Sequence, residues 1–372
     1  MKFFVNIIRI LVGVLFIASG LVKVNDPSGL AYKMDEYFAV WGWHWASQLS
    51  LALSIGMNIF EIIAGIALLL GWQSKLITWL LLVLIIFFTF LTGYAVLSGK
   101  IKTCGCFGDC IPLQAHQSFM KDLVLLALIL VLLWKHRYIS TWLPVRANLF
   151  ILLFFTGLFF WMQLNVLKHL PYVDCLPYAK GKNLLQQMAP PAGSIPDSVV
   201  VMFQYNKDGK PIEFDANSFP DDFDETKYQF TGRYNKVIRK GNAEPAIKDF
   251  ALYTQWGTDT TKDLLATNGR YLLFFGKDFN ESDAVWNDMF TKVYLKCKDK
   301  GVPLFVVTNQ PENANKILNS RNKYAVPVLT SDGTVMKTML RSNTGIVGMQ
   351  GAVVMEKYAE ADMNEVIKLL NK

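Results

Sequence analysis

Leu76-Ile-Thr-Trp-Leu-Leu-Leu-Val-Leu-Ile-Ile-Phe-Phe-Thr-Phe-Leu-Thr-Gly-Tyr-Ala-Val-Leu97 is a run of 22 residues without a charge, and soon after it the chain reads Cys104-Gly-Cys106-Phe-Gly-Asp-Cys110. As a helix such a run rises about 33 Å, enough to cross the roughly 30 Å hydrocarbon core of a bilayer. The stretch therefore makes the front of the chain a membrane protein and places three clustered cysteines in a loop at a membrane face.

Four comparable runs surround it, Phe3 to Val22, Leu49 to Leu70, Phe119 to Trp134 and Leu149 to Leu167, which gives five expected spans. The run over 119–134 is short, and neighbouring apolar residues or bilayer thinning make up its length. The first run is read as a span rather than a signal peptide. No small-x-small cleavage site followed by soluble sequence is evident, and more apolar runs follow. Trp41, Trp43 and Trp45 fall in the first loop, where indole rings sit at headgroup level.

With 372 residues the chain is long enough for two or more domains, and 52% hydrophobic content is too high for a wholly soluble protein. The apolar mass lies in the first 170 residues, and the remainder has ordinary soluble composition. A net charge of +7 without a run of five basic residues does not point to nucleic acid, because the ends of membrane spans carry Lys and Arg anyway.

Lys135, His136, Arg137 and Arg146 crowd the connection between the fourth and fifth spans and mark it as cytoplasmic, with Lys2 and Lys75 on the same side. The cysteine loop and everything after Lys168 then fall outside. Lys23, Lys33, Lys100, Lys102 and Lys121 fall there too, so charge alone does not decide the orientation. An oxidising exterior suits a thiol cluster better.

Residues 168–198 carry Pro171, Pro177, Pro190, Pro191 and Pro196 and read as a linker. Beyond it the pattern alternates. Tyr271 to Phe275 reads as a strand, 281–299 as an amphipathic helix, Pro303 to Thr308 as a strand and 311–320 as a helix. Val326 to Leu329 is a further strand and 332–340 a helix, before two strands, Gly345 to Met349 and Ala352 to Tyr358, and a last helix over 362–371. Such alternation argues an α/β domain closed by a hairpin and a terminal helix.

Five cysteines, at positions 104, 106, 110, 175 and 297, cannot all pair within one chain. Exchange needs an accessible thiolate. Lys102 and the start of the fourth helix favour the thiolate, glycines 105 and 108 leave the sulfurs uncovered, and Asp109 opposes ionisation. A Cys104–Cys106 bridge closes a very tight ring, and bridges to Cys110 are less strained. Cys175, expected on the same membrane face, could complete two pairs as a relay. A Cys₃His metal site with His116 is weighed against this, but Cys-x-Cys-x₃-Cys is not the usual zinc spacing. Redox use is preferred over metal, with a structural disulfide close behind.

Arg9 and Glu61 lie inside spans, where an unpaired charge is costly, so both are expected to face the bundle interior and pair. A structural ion pair is the preferred reading. The functional one makes them a quinone or proton site, since electrons leaving thiols need an acceptor. His44, His136 and His169 lie near span ends and read as interfacial. No phosphate-binding glycine motif, nucleophile elbow or zinc-protease helix is present.

Arg9-x₃-Gly13-x₂-Phe16-x₂-Ser19-Gly20-x₂-Lys23, with Glu61 and Gly65, resembles the DoxX family of small four-helix membrane proteins. Cys104-Gly-Cys106-Phe-Gly108 resembles the related MauE family, named for methylamine utilisation. The resemblance implies a redox-associated membrane protein that helps disulfides form in exported partners. Leu170-Pro-Tyr-Val-Asp-Cys-Leu-Pro-Tyr178 and Pro245-Ala-Ile-Lys-Asp-Phe250 look like a longer form found in Bacteroidetes-type bacteria, in which a thioredoxin-like domain follows the bundle. Where that domain would carry Cys-x-x-Cys, the chain reads Gly276-Lys-Asp-Phe-Asn-Glu-Ser-Asp283. Asn343-Thr344-Gly345 stands where a proline is usual. Cys297 reads as core filling.

The expected architecture is thus a membrane α-helical bundle, a DoxX/MauE-like four-helix unit over 1–140. A fifth transmembrane helix and Pro-rich linker over 141–198 follow, and then a soluble α/β thioredoxin-like domain over 199–372 lacking its cysteines. The expected location is the inner membrane, with the C-terminal domain extracytoplasmic (periplasmic). The expected function is thiol-disulfide exchange or disulfide formation through Cys104, Cys106 and Cys110, with Cys175 as relay and exported thiol-containing proteins as partners; quinone is a candidate cofactor, and the sequence does not name the electron acceptor. The rivals are a non-catalytic scaffold with a structural disulfide and a metal- or small-molecule-binding membrane protein.

Overall fold

The computed structural model describes residues 1–101, 105, 107–207, 209–216, 218–239, 241–279 and 285–371. Cys104 and Cys106 lie outside the described residues. Among the described residues five helices are long and apolar enough to span a membrane. They are α1 (Lys2–Asn25), α3 (Ser50–Leu70), α4 (Ser74–Ser98), α5 (Ala115–Trp134) and α6 (Val145–Lys168). Each overlaps one of the runs expected from the sequence. Their inner faces pack Val5, Val12, Ala64, Leu68, Leu81, Ile85, Ile129 and Leu132 into one core. Their outer faces leave Ile10, Val83, Phe90, Phe150 and Leu153 uncovered by protein. In a bilayer that surface meets lipid, which removes the penalty such exposure would carry in water.

α1 and α3 approach so closely that a Cβ on Gly65 would lie 2.9 Å from the Gly13 carbonyl oxygen. Small residues at such a crossing let backbones pack without a hydrophobic drive between helices. Between these two spans lies α2 (Pro27–Val40), in the segment read as a loop. Asp26 caps it by accepting from the Gly29 N–H, and Pro27 stands in its first turn, where a missing N–H costs nothing.

After α6 the chain enters two sheets. β1 (Ser198–Lys207), β2 (Lys210–Asp215) and β3 (Tyr228–Arg239) form an antiparallel sheet in the order β2-β1-β3. Tyr205, Phe214, Phe219, Phe223 and Tyr228 cluster on it, mostly edge to face, with Tyr205 stacked on Phe214. The second sheet contains β4 (Arg270–Gly276), β5 (Leu304–Thr308), β6 (Val328–Thr330), β7 (Thr344–Gln350) and β8 (Val353–Ala359), in the order β6-β5-β4-β7-β8. β4, β5 and β6 run parallel, and β7 and β8 are antiparallel neighbours.

Alternate residues of this second sheet serve two cores, as the period of two in a strand requires. Leu272, Phe274, Val306 and Ile346 meet Phe290, Val293 and Cys297 of α9 (Val285–Lys300) and Met363 and Val366 of α12 (Met363–Asn371). Tyr271, Leu273, Phe275 and Val347 face the other way, toward Met336 and Met339 of α11 (Gly333–Met339). That second core also takes in Tyr178, Leu184 of α7 (Leu184–Met188) and Leu264 of α8 (Thr261–Leu265), while Ala314 of α10 (Pro311–Ala314) belongs to the first. Residues read as linker are therefore part of the soluble core: the Gly181 and Leu184 N–H groups donate to Val354 and Ala352 carbonyls. Proline marks where helix and strand stop, but it leaves the intervening apolar residues free to pack.

Candidate functional site

The loop after α4 returns to the end of α1 from which α2 starts. The Gly108 N–H donates to the Gly105 carbonyl at 3.0 Å, and both residues hold positive φ, 56° and 72°. Glycine is required there because a side chain strains at such φ, and a Cβ on Gly105 would also press on Lys33 of α2 at 3.0 Å. Phe107 lies under the Lys121 ammonium, 5.1 Å from nitrogen to ring centre.

Cys110 at the end of this loop is bonded to Cys175, with their Cα atoms 4.8 Å apart across 65 residues of sequence. The disulfide ties the loop to the segment that leads from α6 into the soluble sheets. Both residues are partly exposed. Cys297 is free and buried on the face of α9 that packs against β4, and burial pushes its thiol up to about 12, so it stays protonated.

Beside the disulfide, Arg341 reaches from the soluble domain into the membrane half. Its Nε donates to Asp26 Oδ2 at 2.9 Å and its Nη2 to Asp109 Oδ2 at 2.5 Å. Its third nitrogen donates to the Lys337 carbonyl, and its guanidinium sits 5.2 Å from the Tyr32 ring centre. Asp109, expected to oppose thiolate formation, thus has its charge met by a guanidinium. Burial, with Asp109 adding to it, pushes the Asp26 carboxyl above its ordinary range, and Arg341 pulls against that shift. Lys277, just after β4, donates to the Leu340 carbonyl, and burial together with Arg341 and Lys337 brings its ammonium down to about 7. His169–Asp362 at 2.7 Å and Lys357–Asp174 at 2.6 Å complete the polar seam between the two halves.

Arg9 and Glu61 are both buried in the bundle, but they do not pair. Glu61 accepts from Lys23 Nζ at 2.5 Å and from Ser19. Arg9 caps the other end of α3, donating to the Leu68 carbonyl at 2.8 Å, to Leu69 and to Ser140, with Trp142 stacked on its guanidinium. The reason is helical rise. Glu61 lies level with the C-terminal part of α1, and Lys23 stands 14 residues, about 21 Å, along α1 from Arg9. Arg9 instead satisfies carbonyls that every helix C-terminus leaves without intrahelical partners.

The sequence pointed to Lys23 through the motif that ends on it, and to Asp109 through the cysteine segment. Nothing pointed to Asp26 or Arg341. His116 stands in the first turn of α5, and among the described residues no three of His, Cys, Asp and Glu gather to hold a metal.

Five apolar helices, a disulfide-bearing loop at one end of the bundle and a sheet-containing domain seated on that loop define a multi-pass membrane protein with a soluble C-terminal region. Residues 1–135 match the family described as methylamine utilisation protein MauE. Over these residues the chain is MauE-like, and its apolar helices make it a multi-pass membrane protein. A second family model, described as a domain of unknown function (DUF8463), matches residues 199–240, the three-stranded sheet. No curated protein and no solved structure matches the chain.

Proposed function

We propose that this protein performs thiol-disulfide exchange at the outer face of the inner membrane and supports disulfide formation in exported, thiol-containing proteins. The observation that carries the reading is the Cys110–Cys175 disulfide, part-exposed and a few residues along the chain from two further cysteines, Cys104 and Cys106. A thiolate of the partner attacks one sulfur of that bond, and the other sulfur leaves as a thiolate. The partner's second thiolate resolves the mixed disulfide, so the partner gains a disulfide and Cys110 and Cys175 are left reduced. A disulfide between Cys104 and Cys106 then reoxidises them by the same exchange and becomes a dithiol itself. The presence of the Cys110–Cys175 disulfide supports an extracytoplasmic, periplasmic placement of this face.

The soluble domain acts here as a thioredoxin-like binding module. Two parallel strands (β4, β5) beside an antiparallel hairpin (β7, β8), with α9 and α12 on one face, support that assignment. The end of β4 and the start of β7, where a thioredoxin holds its cysteines and its peptide-binding proline, lie at the seam, since the Lys277 N–H donates to the Asn343 carbonyl close to Arg341.

Trapping tests the reading. In full-length single Cys→Ala variants, the cysteine left without its resolving partner accumulates mixed disulfides with exported proteins, visible on non-reducing gels. A scaffold with a fixed disulfide would give no trapped species, and its Cys110→Ser variant would retain function.

A further inference from the structure

A partly open cavity of about 180 Å³ lies between α2, α3 and α4, immediately beside the cysteine loop. Its walls include Tyr37, Trp41, Trp43, Phe87 and Phe88, and Gly105 closes one side. Gly105 is the residue between Cys104 and Cys106 in the chain. The sole charged side chains on the described wall are Lys23 and Lys33.

Three features define an occupant. An apolar cavity of about 150 Å³ takes a benzene-sized ring, and pockets for drug-sized ligands start near 300 Å³, so this one suits one or two fused rings. The aromatic walls, with Trp41 5.2 Å from Trp43 and 5.6 Å from Tyr37 between ring centres, favour a flat guest by stacking. Leu53 and Phe87 line the cavity and are 46% and 41% exposed on the outer flank of the bundle, where lipid lies. A guest with an apolar tail could leave that tail among the acyl chains.

Lys23 adds polarity at one point. Its ammonium, 2% exposed and 5.0 Å from the Phe88 ring centre, gives one of its three donors to Glu61. Lys23 also lines a second cavity of about 30 Å³, whose mostly apolar wall includes Glu61, Lys121 and Asp122 and which is large enough for a water molecule. A carbonyl on the ring would find a hydrogen-bond donor at Lys23, beside the carboxylates of Glu61 and Asp122 in the adjoining cavity.

We propose that this cavity binds the ring of a lipid-soluble quinone, which takes two electrons from the loop thiols. The proposal rests on the exchange reading for the source of those electrons. In the step, Cys104 and Cys106 lose two electrons and two protons as their sulfur-sulfur bond forms, and the quinone gains both pairs to become a quinol. The site differs from the one the sequence suggested: Lys23 and the aromatic wall hold the ring, Glu61 acts through Lys23, and Arg9 lies at the far end of α3.

The test uses the full chain in lipid nanodiscs with a short-chain quinone as probe. Trp41 and Trp43 lie in the wall, so binding is expected to quench tryptophan fluorescence saturably. Met57→Trp, which fills the cavity, should weaken the apparent affinity at least about tenfold. Photolabelling of the wild-type chain with an azidoquinone should mark peptides of α2, α3 or α4, and this arm does not depend on any variant folding. Cys104→Ser/Cys106→Ser should bind like wild type, which separates the cavity from the exchange chemistry. Quenching that rises linearly, quenching matched by a ring-free isoprenoid alcohol, or labels outside these helices would overturn the proposal. Mixed disulfides with exported partners in a chain without saturable quinone binding would overturn it and leave the exchange reading standing.

Discussion

Arg341 of the soluble domain and Asp109 of the membrane loop are joined by a hydrogen-bonded ion pair across 232 residues of sequence, one residue before the cysteine that carries the disulfide. The same guanidinium holds Asp26, so one side chain fixes the soluble domain to both the end of α1 and the cysteine loop. Docking and disulfide are thereby one structural unit.

Arg341→Gln should loosen that unit. It leaves two carboxylates near each other, with Asp26 14% and Asp109 38% exposed. Removing one partner of a fully buried pair costs roughly 3–5 kcal/mol, and the partial exposure of Asp109 lowers the expectation to about 2–4 kcal/mol. Hydrogen exchange should speed up in α11 and around Asp109. Lys368→Ala, which breaks an exposed pair with Glu365, should change stability by less than about 0.5 kcal/mol.

Lys277 sets a pH dependence. Its folded value of about 7 lies below its ordinary 10.5, so between these values the unfolded chain holds a proton that the folded chain has released. Stability therefore rises with pH from about 7 to 10.5 on account of this group, and is flat below 7 where both states are protonated. Lys277→Met should remove that rise. Unfolding curves for wild type and variant that run parallel from pH 7 to 10 would contradict the assignment.

The Lys23–Glu61 pair is buried on both sides, at 2% and 1% exposure. Lys23→Met or Glu61→Gln alone strands the other group and should cost roughly 3–5 kcal/mol of bundle stability. The double variant Lys23→Met/Glu61→Met should recover most of that loss, because neither desolvated charge remains. Denaturant unfolding in bicelles, read as a double-mutant cycle, measures the coupling.

Helix contact gives a sharper contrast. Gly65→Ala places a methyl 2.9 Å from the Gly13 carbonyl oxygen and close to Ile17, whereas Gly56 has open space around its Cβ position. Gly65→Ala should cost about 1–3 kcal/mol through overpacking. Gly56→Ala should be neutral or stabilising by up to about 1 kcal/mol through helix propensity. Equal effects of the two substitutions in the bicelle assay would contradict the close approach of α1 and α3.

The spans were legible because hydropathy is a property of consecutive residues, and strands such as Tyr271 to Phe275 were legible because apolar runs bounded by glycine and charge are local too. α2 was not, since it is too short to span and the tryptophans that follow it, Trp41, Trp43 and Trp45, read as an interfacial loop. Proline content hid the packing of Tyr178 and Leu184, and the antiparallel sheet of β1 to β3 exposes so much of its surface that it offered little core pattern. Within the site, the cysteines announced themselves by spacing. Arg341 could not, because its partners lie 315 and 232 residues away and only the fold brings them together. Glu61 was visible as a buried charge. Its partner was misassigned because helix register, rather than charge type, chose Lys23 over Arg9.

The most direct measurement counts thiols. The fully reduced full-length chain in nanodiscs is mixed anaerobically with a quinone, and free thiols are titrated by alkylation as quinol forms. The account predicts that two thiols disappear for each quinol produced and that Cys110 and Cys175 return to their disulfide, while Cys297 stays unmodified until the chain is unfolded. An unchanged thiol count in the presence of saturating quinone, with no quinol formed, would contradict it.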